Sequence, residues 1–338
     1  MNPILEVRDL HVSFDTHEGE VQAVRGVSFD LYEGETLAIV GESGSGKTVT
    51  VQSLLGLIPQ PPGRIKKGSI RYRGRELTRL RERELDKIRG AEIGYVFQDP
   101  MTALNPTMTI GRQISEVLVK HRKMSKEKAL RHAVHLLRSV EIPNPSGRLR
   151  HYPHQFSGGM RQRVMIAMAL AASPKVLIAD EPTTALDVTV QAQILDLLKT
   201  LKEQRGMSMI LITHDLGVVA EVADRVIVMY GGKVVESGGV EDVFKRCRHP
   251  YTRGLLSSMP RLDRPKEKKL ESIPGNPPDL LSPPRGCPFV ERCQYAMKIC
   301  SEWMPDVTVR SETHQLSCWL EHPMAPPVNE AVGGGIAR

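Results

Sequence analysis

The chain has 338 residues, of which 40% are hydrophobic and 25% charged, a balance that excludes a disordered chain and leaves room for two folded domains. A net charge of +7 raises nucleic acid or anionic lipid as partners, but aromatic residues make up only 4%, too few for the stacking platforms of single-strand binders. The longest unbroken apolar run, Val164 to Ala172, is nine residues, too short for a helix to cross a bilayer.

The start, Met1-Asn2-Pro3-Ile4-Leu5-Glu6, lacks the basic residues and apolar stretch of a signal peptide, so a cytosolic chain whose five cysteines stay out of disulfides is expected. Residues 1 to about 97 read as β-rich with one helix. Leu5 to Phe14 and Val21 to Leu31 alternate apolar and polar residues, and Thr36 to Val40 is a short buried strand. Gly41-Glu42-Ser43-Gly44-Ser45-Gly46-Lys47-Thr48 follows that strand and leads into a helix, the context a phosphate loop requires. Its glycines let successive N–H groups turn inward on phosphate oxygens, and the helix adds its positive end. Lys47 is expected to reach the β and γ phosphates and Thr48 to ligate Mg²⁺.

Between Arg64 and Arg89 there are 11 Lys or Arg against 4 Asp or Glu, an excess equal to the whole-chain charge; such a run reads first as a solvated face. A strand from Ile93 to Phe97 delivers Gln98. Residues 109 to 140 then turn helical, with Ile110, Ile114, Val117 and Leu118 and later Ala133, Leu136, Leu137 and Val140 at three-to-four spacing, inside a helical insertion spanning about 99 to 173. Ser157-Gly158-Gly159-Met160-Arg161-Gln162 precedes the apolar run Val164 to Ala172, which makes Ser157 a natural N-cap and the helix start a second anion site.

Val176 to Ala179 and Met209 to Thr213 are continuous apolar runs of the kind buried on both faces of a parallel sheet, separated by the helical stretch Val188 to Glu203. The first carries Asp180 and Glu181 to the sheet's C-terminal edge, where open α/β sheets bind ligands. Asp180 suits a metal held through water, and Glu181 suits a general base on the attacking water. Arg225 to Tyr230, Gly231-Gly232 and Lys233 to Glu236 read as a hairpin. After about residue 246 prolines crowd the chain: Pro260, Pro265, Pro274, Pro277, Pro278, Pro283, Pro284 and Pro288 forbid a helix or central strand there. Residues 323 to 338 have little to bury and are expected to be disordered.

One nucleotide does not need two anion-binding helix starts in a single chain. Here the sequence resembles the ATP-binding cassette (ABC) ATPases, whose signature motif in one subunit closes over the γ-phosphate held by a facing subunit. Phe156-Ser157-Gly158-Gly159-Met160 differs from the usual Leu-Ser-Gly-Gly-Gln at its ends but keeps the serine and glycines that carry the contact. Gln98 resembles the family's Q-loop, which reaches Mg²⁺. Thr184-Ala185-Leu186-Asp187 resembles the D-loop, and His214, after the strand Met209 to Thr213, the switch histidine. Phe14 fits either the adenine-stacking aromatic or an ordinary core position.

The resemblance covers residues 4 to 245. It implies a P-loop ABC ATPase domain of α/β class with a β-rich subdomain over 1 to 246, using ATP and Mg²⁺. The stretches Phe97 to Pro106, Tyr152 to Arg163 and His249-Pro250-Tyr251-Thr252 resemble the ATPase subunits of oligopeptide and dipeptide importers, with an irregular extension over 247 to 322. The implied setting is the cytoplasmic face of a membrane, with two permease subunits, a facing ATPase of a different chain, and an extracytoplasmic peptide-binding protein. An importer for nickel or another small solute is an alternative. A soluble ABC ATPase acting on nucleic acid is a weaker one, since this chain has neither a second cassette nor a long coiled-coil insertion.

Cys287, Cys293, Cys300 and Cys318 fall in the extension with spacing C-x5-C-x6-C-x17-C, while Cys247 stands apart. Four thiolates in a segment with little apolar core suggest a metal staple. Zinc prefers a short C-x2-4-C knuckle that is missing here, whereas a [4Fe-4S] cluster tolerates varied spacing and is also what the importer branch implies. Iron–sulfur, zinc and unligated thiols stand as the readings, with a structural role expected for any metal.

Overall fold

The computed structural model describes residues 2–184, 186–259 and 273–327. They group into two compact units that interleave along the chain. One takes the residues up to Pro3, Leu31–Thr36 and Arg79–Ile212; the other takes Ile4–Asp30, Leu37–Thr78 and the chain from Thr213 onward.

The first unit is built on three parallel strands. Ile93–Val96 pairs with Val176–Asp180 in the register Ile93↔Val176, and that strand pairs with Ser208–Ile212 as Val176↔Ser208. Every residue of the last two strands is buried, as their unbroken apolar runs require. At Gly94 a Cβ would lie 2.6 Å from the Ala169 carbonyl oxygen, so only glycine lets the end of the helix Gly158–Ala169 come this close to the strand. The helices Ile110–Arg122 and Lys126–Ser139 pack against each other. They bury Ile114, Leu118, Ala133 and Leu137, the positions that their spacing marks. The helix Val188–Arg205 ends at Gly206, whose φ of 58° is the left-handed cap.

The second unit holds a four-stranded sheet in the order Gly19–Tyr32, Pro3–Thr16, Gly63–Tyr72, Arg75–Glu76. Strict alternation through Leu5 to Phe14 does not hold: buried positions run Leu5, Val7, Leu10, Val12, so the phase slips by one. A register shift between Arg8 and His11, with Asp9 at φ 46°, absorbs the slip as a bulge. The basic run meets carboxylates across this sheet: Arg64 pairs with Asp15 at 2.9 Å, Lys66 with Glu20 at 2.7 Å and Lys67 with Asp9 at 2.5 Å. Much of its charge is thus paired at a solvated face, each pair contributing about 0–1 kcal/mol.

Also in this unit, Thr36–Val40 runs parallel to Arg225–Tyr230, from Leu37↔Arg225 to Val40↔Val228. The expected hairpin forms between Arg225–Tyr230 and Lys233–Gly239, turning through Gly231 at φ 52° and Gly232 at φ 78°, the positive pair that a two-residue turn needs. Gln315–Leu316 joins the outer strand as Glu236↔Leu316, and Thr308–Val309 pairs with it in turn, so part of the extension completes this sheet. The described prolines from Pro274 to Pro288 carry no helix or strand. Pro260, Pro265 and the tail from residue 328 lie outside the described residues.

The extension is tied down around the fully buried Glu236. Its carboxylate accepts from the Arg248 N–H at 2.7 Å, the His249 N–H at 3.1 Å and His314 Nε2 at 2.9 Å. The His249 Nδ1 accepts from the Tyr251 N–H at 3.1 Å, which places its proton on Nε2. Burial pushes this imidazole down to about 4 from 6.5, against the opposing pull of Glu236. An unfolded chain therefore takes up a proton near pH 6.5 that the folded one refuses until about pH 4. Stability from this group is intact at neutral pH and falls by about 3 kcal/mol as pH drops through that window. Denaturant melts at pH 7 and pH 4.5 should show the loss, and His249→Gln should flatten the slope; parallel slopes in the two proteins would refute it.

Candidate active site

The sequence-predicted residues are shared between the two units, and each group is held by its own local geometry. In the second unit, the phosphate loop leaves the strand Thr36–Val40 and enters the helix Lys47–Leu54. Gly41 has φ 150°, and a Cβ there would run into the Met229 carbonyl; Gly46 has φ 96°, and a Cβ would collide with the Ala23 carbonyl. These two contacts leave room only for glycine. Gly44, at φ 76°, has open space around it, and Ser43 and Gly44 are exposed.

Lys47 is 5% exposed, and its ammonium donates to the carbonyl oxygens of Gly41 at 2.8 Å and Glu42 at 2.9 Å, which holds the charge over the loop. The Ser45 Oγ is buried without a hydrogen-bond partner among the described residues. A glycine-bounded turn at a helix start, a buried cation and an orphaned hydroxyl fit an incoming phosphate chain. Thr48 occupies the first turn of the helix. His214 is exposed just past Thr213, and the next residue, Asp215, caps the helix Leu216–Val222 by accepting from the Gly217 N–H at 2.8 Å. Phe14 is half-buried and lies across from its strand partner Gly63.

In the first unit, Asp180 ends its strand with 1% exposure and accepts from the Tyr95 hydroxyl at 2.7 Å. Tyr95 is a site residue that motif reading missed, and register would have found it. It pairs opposite Ile178, and Asp180, two residues on, shares the face of Ile178.

Glu181 sits at φ 45°, a left-handed conformation that costs a non-glycine residue about 1–3 kcal/mol. Its N–H donates to the Ile212 carbonyl at 3.0 Å, and its Oε2 accepts from Gln98 Nε2 at 3.0 Å and Thr184 Oγ1 at 2.9 Å. The structure thus brings Gln98 and Glu181 together, with Thr184 of the D-loop as third member. Asp187 caps the helix Val188–Arg205 by accepting from the Val190 N–H at 3.0 Å. Ser157 caps Gly158–Ala169 through the Met160 N–H at 3.4 Å, and both Ser157 and Gly158 are exposed. Gly159 has a packing reason of its own, since a Cβ would lie 2.7 Å from Val190 Cγ1.

Residues 24–184 match the family model of the ABC transporter, and residues 235–300 match that of the oligopeptide/dipeptide transporter C-terminal region. The oligopeptide transport ATP-binding protein OppD of Bacillus subtilis (strain 168) is 60% identical over 325 residues, which is 96% of this chain and 91% of that protein. The chain belongs to the oligopeptide/dipeptide ABC transporter ATPases. The dipeptide transport ATP-binding protein DppD of the same organism is 57% identical over 338 residues, 100% of both chains. Among solved structures, the dimeric post-hydrolysis state of the ATP-binding cassette MJ0796 bound to ADP and Pi is 32% identical with a TM-score of 0.63, covering 70% of this chain and 98% of that one.

The cysteine expectation is overturned. Cys287, Cys293, Cys300 and Cys318 do line one cavity, beside Phe289 and Trp319. Among the described residues no group of three or more His, Cys, Asp or Glu is disposed to hold a metal ion, so neither the [4Fe-4S] cluster nor zinc stands. All five cysteines of the ATPase are free. Burial pushes the thiols of Cys287 and Cys318 up to about 12 and that of Cys247 up to about 11, and also raises Cys293. Close spacing brought the thiols together as predicted, but among the described residues they are not disposed as a metal site.

Proposed function

We propose that this ATPase hydrolyses ATP to power uptake of di- or oligopeptides through membrane permeases, with the geometry around Glu181 carrying the chemical step. The observation that supports this most is the strained Glu181 backbone together with the two donors, Gln98 and Thr184, on one carboxylate oxygen. A carboxylate held in this way is suited to act as general base on water attacking the γ-phosphate. Lys47 and the loop amides after Glu42 would hold the phosphate oxygens; Thr48, Asp180 and Gln98 are each suited to a metal ion, and His214 to the γ-phosphate. Mg²⁺, when bound, offsets the phosphate charge that develops in the transition state. Tyr95 keeps Asp180 oriented.

The nucleotide-binding domain is read as residues 1 to 246 and the extension as 247 to 322. Ser157, Gly158 and Gly159, exposed or half-buried at a helix start, are offered to the γ-phosphate on a facing ATPase, read here as a different chain, with Asp187 beside them in the D-loop. Phe97 and Met101, 39% and 60% exposed on either side of Gln98, form an apolar surface suited to a permease. No helix among the described residues is long and apolar enough to cross a membrane, so attachment at the cytoplasmic face is through two permease partners. An extracytoplasmic peptide-binding protein supplies the substrate.

Vesicles carrying the ATPase with its facing subunit, permeases and binding protein should accumulate a labelled dipeptide or oligopeptide only when supplied with MgATP. Accumulation of Ni²⁺ and no peptide would transfer the subunit to the small-solute systems.

A further inference from the structure

We propose that Arg292 of the extension is a positioning residue for the phosphate loop, neutralising and pinning Glu42 so that the loop accepts the phosphates of MgATP, an inference that rests on the nucleotide-binding role proposed above.

The contact is a fork on a carboxylate. Arg292 Nη1 donates to Glu42 Oε2 at 2.6 Å and Nη2 to Glu42 Oε1 at 3.1 Å, across 250 residues of sequence. The two side chains are 6% and 25% exposed. The remaining donors are also spent: Nη1 on the Tyr230 hydroxyl at 3.0 Å, Nη2 on the Ile273 carbonyl at 3.1 Å, and Nε on the Pro274 carbonyl at 2.8 Å. A guanidinium has five N–H donors in a fixed plane, and here each finds an acceptor. Three of them belong to the extension and the sheet, so the head group is placed before Glu42 takes it. Its surroundings hold Arg292 firmly in the charged form, because Glu42 and Tyr230 outweigh the cost of burial.

A second contact acts on the same loop residue. The Glu42 N–H donates to the Tyr251 hydroxyl at 2.8 Å. Tyr251 is fully buried, its ring tilted against Tyr230 at 4.5 Å and against Phe289 at 5.3 Å, the residue three positions before Arg292. The amide of Glu42 is therefore committed to the extension, and the cradle must be formed by the amides after it. The loop also needs its glutamate neutralised. A carboxylate in the second position of a phosphate-binding loop repels the anion the loop exists to bind, and a paired fork removes that penalty without removing the side chain. The ion pair could instead serve only to fasten the extension. The two roles differ in one respect: a fastener gives no reason for the loss of Arg292 to be cured by removing the charge on Glu42.

Isothermal titration of MgATP into the full-length chain makes the comparison. Arg292→Met should weaken MgATP binding by about tenfold or more, since it leaves a half-buried carboxylate unpaired beside the phosphates. Adding Glu42→Gln to that variant should recover most of the loss, while Glu42→Gln in the wild-type background should tighten binding by less than about threefold, because there the charge is already neutralised. Equal effects of Glu42→Gln in both backgrounds, or wild-type affinity in Arg292→Met, would overturn the proposal.

Amide exchange of the nucleotide-free chain reads the clamp without ATP. Arg292→Met and Tyr251→Phe should each speed exchange at Glu42 by about tenfold, and unchanged protection in both would also overturn it. A wild-type chain that binds no MgATP would defeat the proposed function and leave this exchange test of the clamp standing.

Discussion

Glu181→Gln should lower ATP turnover by about two to four orders of magnitude, the usual contribution of a general base, equivalent to about 3–5 kcal/mol of transition-state stabilisation. The substitution is close to isosteric, and the amide oxygen can still accept from Gln98 and Thr184, which hold the side chain now at 3.0 Å and 2.9 Å. The left-handed backbone at φ 45° is no worse for glutamine than for glutamate. Geometry and nucleotide affinity should therefore survive while the proton acceptor is lost, and single-turnover hydrolysis beside MgATP titration separates the two. Turnover within a few-fold of wild type would remove Glu181 from the chemical step. A loss of affinity matching the loss of rate would assign it to binding.

Lys47→Ala should act on the other side of that division, weakening MgATP binding by roughly ten- to a hundredfold, the span of one charge-assisted hydrogen bond to phosphate. The ammonium is buried against the carbonyls of Gly41 and Glu42, so its removal also uncovers two loop acceptors. A melting curve must accompany the titration. A variant that melts like wild type and still binds MgATP normally would mean that the phosphates bind elsewhere. Together the two substitutions predict opposite splits: rate without affinity for Glu181, and affinity first for Lys47.

The phosphate loop was legible because its constraints are local. Gly41 and Gly46 take positive φ within the loop itself, a local demand that the motif records although their close approaches are to the distant Met229 and Ala23 carbonyls, and Ser157 and Asp187 cap helices through amides three residues away. Unbroken apolar runs, Val176 to Ala179 and Met209 to Thr213, likewise placed the buried strands Val176–Asp180 and Ser208–Ile212 to within a residue at each end. Three things were not legible. The bulge at Asp9 needed a decision about phase that alternation alone does not force. Tyr95 on Asp180 depends on strand register, and the Arg292 fork on Glu42 joins residues 250 apart. The cysteines show the reverse failure, a real spatial cluster that is not disposed as a metal site among the described residues.

The interleaving of the two units has a consequence for how this protein comes off the ribosome. The strand Thr36–Val40, which launches the phosphate loop, has its parallel neighbour at Arg225–Tyr230. At ordinary elongation rates roughly 190 residues separate their emergence by about 10 to 40 s. During that interval Leu37 to Val40, fully buried in the finished molecule, have no such neighbour, and Gly41 has no Met229 carbonyl to close against. The nascent chain thus carries its nucleotide loop unassembled through most of its synthesis, and Arg292 reaches Glu42 later still. Holding by chaperones is most needed in this window, and a message truncated before the hairpin yields a product with a complete phosphate-loop motif but no formed site.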